Sequence, residues 1–198
     1  MTPQRLSDFL PLAVQSLIQP RVGLRTILDI PAARVDIIRA AWLVIVLNLI
    51  FSKALTLFGP ATLSETQSDV PLSSSVILLM ITMFGSAFIL HRVGNLFGGE
   101  GDFDSSLKTV VWLNFMLLLM QLPMPFFAVA GPEVAGLVIL LVLLVAMTQI
   151  VAQTMELHGF TQVFPVILGI LGVQFVFGMV LLILLSILGI QFPIEPTS

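Results

Sequence analysis

The stretch VAGLVILLVLLVAMTQIVAQTM, residues 134–155, decides the fold class of this chain. It contains no charged residue, and its amide and hydroxyl side chains gather near its C-terminal end. A helix rises ~1.5 Å per residue, so a stretch of this length can cross the ~30 Å hydrocarbon core of a bilayer. The stretch therefore predicts a membrane-spanning helix.

The composition of the whole chain supports the same interpretation. Of 198 residues, 58% are hydrophobic and 10% are charged. Soluble domains are usually ~45–50% apolar and ~25% charged. So large an apolar surplus cannot be buried inside one small soluble core, and it comes in long runs. The predicted fold class is therefore an all-α, polytopic membrane protein.

Four more apolar windows accompany the first, at about 40–58, 74–90, 107–122 and 163–190. The last window is long, and Pro165 suits the first turn of its helix. The sequence thus predicts five transmembrane helices in a membrane domain, preceded by a cytoplasmic N-terminal segment and followed by a short external tail. The predicted boundaries are 1–38, 39–192 and 193–198.

Basic residues predict the orientation. Five arginines precede the first span, and Arg92 and Lys108 lie between the second and third spans. The remaining loops and the tail hold none, while Lys53 lies inside the first span. The positive-inside rule therefore places the N-terminus in the cytoplasm and the C-terminus outside, as an odd number of spans requires.

The N-terminal segment has its own helical pattern, ending at Pro20. Apolar residues recur at intervals of three and four, namely Leu6, Phe9, Leu10, Ala13, Val14, Leu17 and Ile18. This pattern predicts an amphipathic helix. The helix could lie along the inner surface of the bilayer or pack on the ends of the bundle. A second stretch, residues 22–30, leads to Pro31, where we expect the helix of the first span to begin.

Polar residues inside the spans are candidates for function because they are costly in a bilayer. Gln149, Gln153 and Glu156 are spaced to share one face of the fourth span, and Asn48 and Asn114 lie in the first and third spans. They could line the pathway of a transporter or channel. Because most of them are uncharged amides, hydrogen bonding between helices is the favoured interpretation.

Several chemistries lack their residues here. The chain has no cysteine, no H-E-x-x-H, no calcium loop, no G-x-S-x-G and no dense basic patch. His91 and His158 fall at cytoplasmic span ends near acids, but without diagnostic metal-ligand spacing. We therefore expect a non-enzymatic protein with no cofactor, no metal and no nucleic-acid partner.

The segment HRVGNLFGGEGDFDSSLK, residues 91–108, is a polar and glycine-rich island between two spans. Its glycines Gly98, Gly99 and Gly101 permit positive φ and a tight reversal. Asp104 or Ser105 is placed to cap the next helix. The island is predicted to be a turn, since it lacks the Gly-Lys-Ser/Thr ending of a phosphate loop.

The core of this island, LFGGEGDF at 96–103, resembles the L-F-G-G-x-G-s-F signature of the Yip-domain family, the Ypt/Rab-interacting proteins. Gln19-Pro20, followed by Leu24 and Ile27, is similar to the early n-P segment of that family, and Pro123 lies where the family often has a proline. The resemblance covers about 15–190. It implies a partner-binding loop whose residues are Leu96, Phe97, Gly98, Gly99, Gly101 and Phe103.

The resemblance also implies function and location. Members of the family work by binding partners, and eukaryotic ones act in vesicle traffic with prenylated small GTPases. This chain lacks their long polar N-terminal domain, which implies a short bacterial-type member in an inner (plasma) membrane. The expected partners are the lipid bilayer and a membrane protein or a homo-oligomer. The alternatives are a small-solute or ion transporter acting as a homo-oligomer, and a membrane-shaping protein.

Overall fold

A computed structural model describes residues 6–58 and 71–187, and these residues form helices and no strand. Five helices are long and apolar enough to cross a membrane, so the all-α, polytopic fold class is confirmed. The helices are α1 Leu6–Ile18, α2 Pro20–Leu28, α3 Arg34–Phe58, α4 Leu72–Leu96, α5 Phe103–Gln121, α6 Met124–Val129, α7 Pro132–His158 and α8 Val163–Ile187.

The chain divides into two compact units, residues 1–161 and 162–198. In the first unit α5 packs against α2, α3, α4 and α7. Buried apolar side chains of α3, α4 and α5 form its larger core, with Ile45, Met83 and Val110 among them. In the second unit α8 begins at Val163, and Pro165 lies in its first turn as predicted.

Helices α1 and α2 form a helical hairpin, which we call the N-terminal hairpin. It packs on α5 and α7 through a second apolar core that includes Leu12, Leu24, Ile27, Trp112 and Met116. The two helices approach closely where Gly23 of α2 meets Ser16 of α1, because a Cβ on Gly23 would collide with the serine side chain. The hairpin is therefore joined to the bundle.

The bounds of α1 agree with the predicted segment, and its apolar residues divide between a buried and an exposed side. The residues buried against the rest of the unit are Leu12, Ala13 and Ser16. Val14 and Ile18, which the pattern placed with Ala13, are exposed. Helix α1 carries apolar residues on two sides, so their spacing does not identify the side that packs on protein.

The entry into the first span also differs from the prediction. Pro31 does not open α3, since residues 31–33 are not helical and the helix begins at Arg34. The carbonyl of Ala33 accepts the first helical hydrogen bond, from Ile37 N–H at 3.2 Å. Helix α3 runs continuously through the predicted boundary at 38–39. The predicted tail 193–198 lies outside the described residues.

Candidate functional site

The glycine loop that joins α4 to α5 is built around His158. This histidine is the last residue of α7 and is only 2% exposed. Gly159 follows it at a φ of +71°, the left-handed conformation that commonly ends a helix. His158 and Gly101 of the loop are 57 residues apart in sequence, and the fold brings the imidazole into contact with the loop.

Three glycines make room for this imidazole. A Cβ on Gly99 would lie 2.5 Å from His158, and one on Gly101 would lie 2.9 Å from it. Gly94, two residues before the end of α4, also abuts the ring too closely for a side chain. Among the glycines of this loop, only Gly98 has a positive φ, of +83°. The reversal thus needs one glycine for its backbone, whereas the others are required by the histidine.

Gly101 lies between two histidines. Its N–H donates to Nδ1 of His158 at 3.3 Å, and its carbonyl accepts from Nδ1 of His91 at 3.0 Å. Since Nδ1 of His158 accepts this hydrogen bond, its Nε2 carries the ring hydrogen and donates to the Leu90 carbonyl at 3.0 Å. These bonds fix a neutral imidazole of one tautomer in His158.

Asn95 completes the hydrogen bonding of the loop. With its amide nitrogen facing the loop, it donates to the carbonyls of Gly99 at 2.9 Å and Gly101 at 3.1 Å. Its oxygen then accepts from Nδ1 of His91. This orientation is the consistent one, because His91 donates from that nitrogen and two donors cannot face each other. Side chains of α4 and α7 therefore hold the loop in one conformation.

Within the described residues no group of three His, Asp or Glu side chains is positioned to hold a metal ion. Both imidazoles instead bond to the backbone of Gly101 in the loop. Both histidines were expected at span ends, but no pattern in the sequence indicates that they converge on Gly101.

The apolar residues of the signature divide between inside and outside. Leu96 is 82% exposed and Phe97 is 68% exposed, immediately before the positive-φ glycine. Phe103 is half-buried, and its ring meets His91 edge-on at 6.1 Å between centroids. The loop therefore presents two large apolar side chains outward from a backbone that other side chains hold in place.

The cap of α5 is Asp102, so the prediction of Asp104 or Ser105 is wrong. A carboxylate oxygen of Asp102 accepts from Ser105 N–H at 2.6 Å. Hydrogen bonding from Ser105 lowers the pKa of Asp102 below its ordinary value. Asp104 instead pairs with Arg34 at 2.7 Å, which joins the start of α3 to the start of α5. The misplaced cap reflects a helix that begins two residues earlier than expected.

Gln149 and Gln153 hold the N-terminal hairpin. Both are 1% exposed. Nε2 of Gln149 donates to the carbonyls of Ser16 at 2.9 Å and Leu17 at 3.3 Å, in the last turn of α1. The Ser16 carbonyl lacks its usual helical donor, because Pro20, four residues on, has no N–H. Gln153 donates to Oε1 of Gln149 at 3.0 Å.

The other polar candidates lie apart from these amides. Asn48 donates to the Val44 carbonyl at 2.9 Å, and Asn114 donates to the Val110 carbonyl at 2.8 Å, each within its own helix. Glu156 pairs with Arg25 of α2 at 2.6 Å. Of the five residues considered for a pathway, the structure thus brings Gln149 and Gln153 together, and Glu156 also serves the hairpin.

Lys108 is a further contributor to the hairpin that sequence reasoning used only as a topology signal. Its Nζ donates to the carbonyls of Ile30 at 2.7 Å and Leu28 at 3.3 Å. It therefore donates hydrogen bonds to carbonyl groups at and just after the C-terminal end of α2, where a cation is favourable. Its position in the first two turns of α5 could not reveal a partner 78 residues earlier.

These features define a class of protein: a helical membrane protein with a histidine-supported glycine loop at one end of its bundle and a docked N-terminal hairpin beside that loop. Comparison with protein families identifies which class it is. The Yip1 domain model matches residues 14–185, most of the chain. The protein therefore belongs to the Yip1-domain family. Comparisons with curated proteins and with solved structures give no match.

Proposed function

We propose that this protein is a non-enzymatic, multi-pass protein of the inner membrane that binds or organises other membrane proteins through the exposed pair Leu96 and Phe97. In this proposal its N-terminus is cytoplasmic, as the distribution of basic residues favours. The observation that carries the proposal is the contrast at the glycine loop: a backbone held by His91, Asn95 and His158 presents two exposed apolar side chains.

A fixed backbone is what a binding loop needs. Binding must offset the entropy lost when interface groups are immobilised, so a preorganised loop loses less on association. Exposed aromatic and large apolar side chains also contribute much of the affinity in protein interfaces. Leu96 and Phe97 meet both conditions: they are exposed, and they immediately precede the turn that Gly98 makes in the held backbone.

The polar residues support binding more than transport. A pathway needs polar groups that face water or a solute, yet Gln149 and Gln153 are almost fully buried and bond to α1 and to each other. Asn48 and Asn114 bond within their own helices. Their arrangement fits hydrogen bonding that stabilises a helical bundle.

Site-specific photocrosslinking tests the proposal. A photoreactive phenylalanine analogue would replace Phe97 or Leu96 in cells and, as a matched control, Phe126, which is 79% exposed near the other end of the third span. We expect discrete protein adducts from positions 96 and 97 and none of the same mass from 126. Adducts to lipid alone at 96 and 97, or the same protein adducts from all three positions, would contradict the proposal.

A pair of substitutions provides a second readout. Phe97→Ser should abolish the adduct formed from position 96 without changing the amount of protein in the membrane. Phe126→Ser should leave that adduct unchanged. Loss of the adduct in both variants would indicate a general defect in folding instead of a local binding surface.

A further inference from the structure

The side of α1 that faces away from the bundle is apolar. We define the outer face of α1 as Val14, Leu17 and Ile18, of which Ile18 is 74% exposed. The opposite side, with Leu12 and Ala13, is buried. A groove along the exposed side is lined by Pro11, Val14, Gln15, Ile18 and Gln19. Exposing such apolar side chains to water costs free energy, so we ask whether the outer face lies in water or in the bilayer.

The depth of the outer face in the membrane follows from the hydrogen bonds that hold the end of α1 against α7. Gln149 binds the carbonyls of Ser16 and Leu17, and it precedes His158, the end of α7, by nine residues. Nine residues of helix measure ~13 Å along the axis. Since α7 is itself a candidate span, the end of α1 lies beside the membrane-crossing part of that helix.

Helix α2 then leads back toward the glycine loop. Arg21, at its start, lies 3.0 Å from the sulfur of Met155, and Arg25 pairs with Glu156. The end of α2 meets Lys108, in the second turn of α5. The connection between α1 and α2 is therefore the deepest part of the hairpin. At ~13 Å from the end of α7 it stays within half of a ~30 Å core.

We propose that the N-terminal hairpin is inserted into a single leaflet, the one on the side of the glycine loop, with phospholipid acyl chains of that leaflet covering the outer face of α1. Two observations identify lipid as the occupant: the apolar character of Val14, Leu17 and Ile18, and the depth that Gln149 gives them. This inference is independent of the proposed partner site, because it concerns another surface.

Arg21 fits the same arrangement. The ion pairs found among the described residues involve Arg25, Arg34 and Arg39, whereas the bond of Arg21 goes to a thioether sulfur. Arg21 is exposed and lies beside Met155, less than a turn from the end of α7. A long basic side chain at that level reaches the phosphate region while its stem stays among the tails.

Spin labelling tests the insertion directly, because the chain has no cysteine of its own. Single labels would be placed through Ile18→Cys, Val14→Cys and, as a control in the linker after α2, Ala33→Cys. All three positions are exposed, so the variants should fold like the parent chain. Each variant would be reconstituted in phospholipid vesicles and its collisions with oxygen and with a water-soluble nickel complex measured.

Oxygen concentrates in acyl chains and the nickel complex stays in water. We expect the oxygen-to-nickel collision ratio at positions 14 and 18 to be several-fold higher than at 33, with 18 the deeper site. Ready collision with nickel at 18 would overturn the inference, because the face would then lie in water. Low collision with both reagents at 14 and 18 would also overturn it, because protein would then cover the face.

Discussion

Gln149→Leu should loosen the N-terminal hairpin far more than Gln153→Leu. The two glutamines lie one turn apart on α7 and are equally buried, so the substitution is the same in size and surroundings. Their hydrogen bonds differ. Gln149 donates to two carbonyls of α1 and accepts from Gln153, whereas Gln153 makes only that last bond among the described side chains.

The expected magnitudes follow from these bonds. Gln149→Leu leaves the carbonyls of Ser16 and Leu17 and the amide of Gln153 without partners. Each buried polar group left unpaired costs ~1–3 kcal/mol in soluble proteins, and bonds between membrane helices measure lower, ~0.6–2 kcal/mol. Three groups at the value for membrane helices sum to about 2–6 kcal/mol. Gln153→Leu leaves Oε1 of Gln149 without this donor but also removes the unpartnered Oε1 of Gln153, so the two effects largely offset and the cost should be about 0–1 kcal/mol.

The assay combines a global and a local measurement. Reversible unfolding in mixed micelles gives the free energy of each variant. Hydrogen exchange of residues 6–28 reports whether the hairpin opens, and α4 serves as the internal reference. Equal costs for the two variants, or unchanged exchange in α1 after Gln149→Leu, would refute the account. A transport pathway would instead make both substitutions abolish flux with little effect on stability.

Three further predictions concern the loop and its neighbours. Gly99→Ala should cost about 1–3 kcal/mol, as overpacking does, and His158→Ala in the same chain should relieve part of that loss in a double-mutant cycle; strict additivity would count against the contact. Asp102→Ala should cost about 1 kcal/mol by unfolding. The pKa of Asp102 in the folded protein lies below the ordinary 3.8, so its charged carboxylate stabilises the fold above that pH. The difference in unfolding free energy between parent and variant should therefore shrink as the pH falls through the folded pKa. A difference that stays constant with pH would indicate another cause. Arg25→Glu should cost about 1 kcal/mol by unfolding, and adding Glu156→Arg should restore it; no recovery in the double variant would contradict the ion pair.

The five spans could be predicted because hydropathy is a local property. Each window is long and apolar enough by itself, and Pro123 lies two residues after the end of α5 at Gln121. Helix ends were less predictable. α3 begins at Arg34 instead of near Pro31, since neither composition nor periodicity distinguishes a linker from a first helical turn at that position.

The face of α1 could not be assigned from periodicity. In water an apolar stripe faces the protein core, so the pattern identifies the packed side. Near a membrane the outward side is also apolar, and both Leu12 and Ile18 satisfy a hydrophobic pattern although one is buried and the other exposed. The packing of Leu12 and Ala13 in the second apolar core distinguishes the two sides, and Gln149, which holds α1 there, lies 133 residues from Ser16 in sequence.

The glycine loop was recognisable from its signature, but its structural reason was not. Three closely spaced glycines, Gly98, Gly99 and Gly101, predict a reversal, yet among them only Gly98 has a positive φ. Gly99 and Gly101 are required by the imidazole of His158. A contact between a loop and a residue three helices away leaves no pattern in a single sequence, so the role of His158 could come only from the fold.

Native mass spectrometry tests the central claim, that Leu96 and Phe97 on the histidine-supported loop bind a membrane-protein partner. The protein would be extracted in its own lipid with a mild polymer, as the parent chain and as the Leu96→Ser/Phe97→Ser variant. We predict a reproducible heteromeric mass for the parent chain that is lost in the variant, while the variant itself remains folded. A closed homo-oligomer carrying a bound ion or small molecule, unchanged by the double substitution, would contradict the claim.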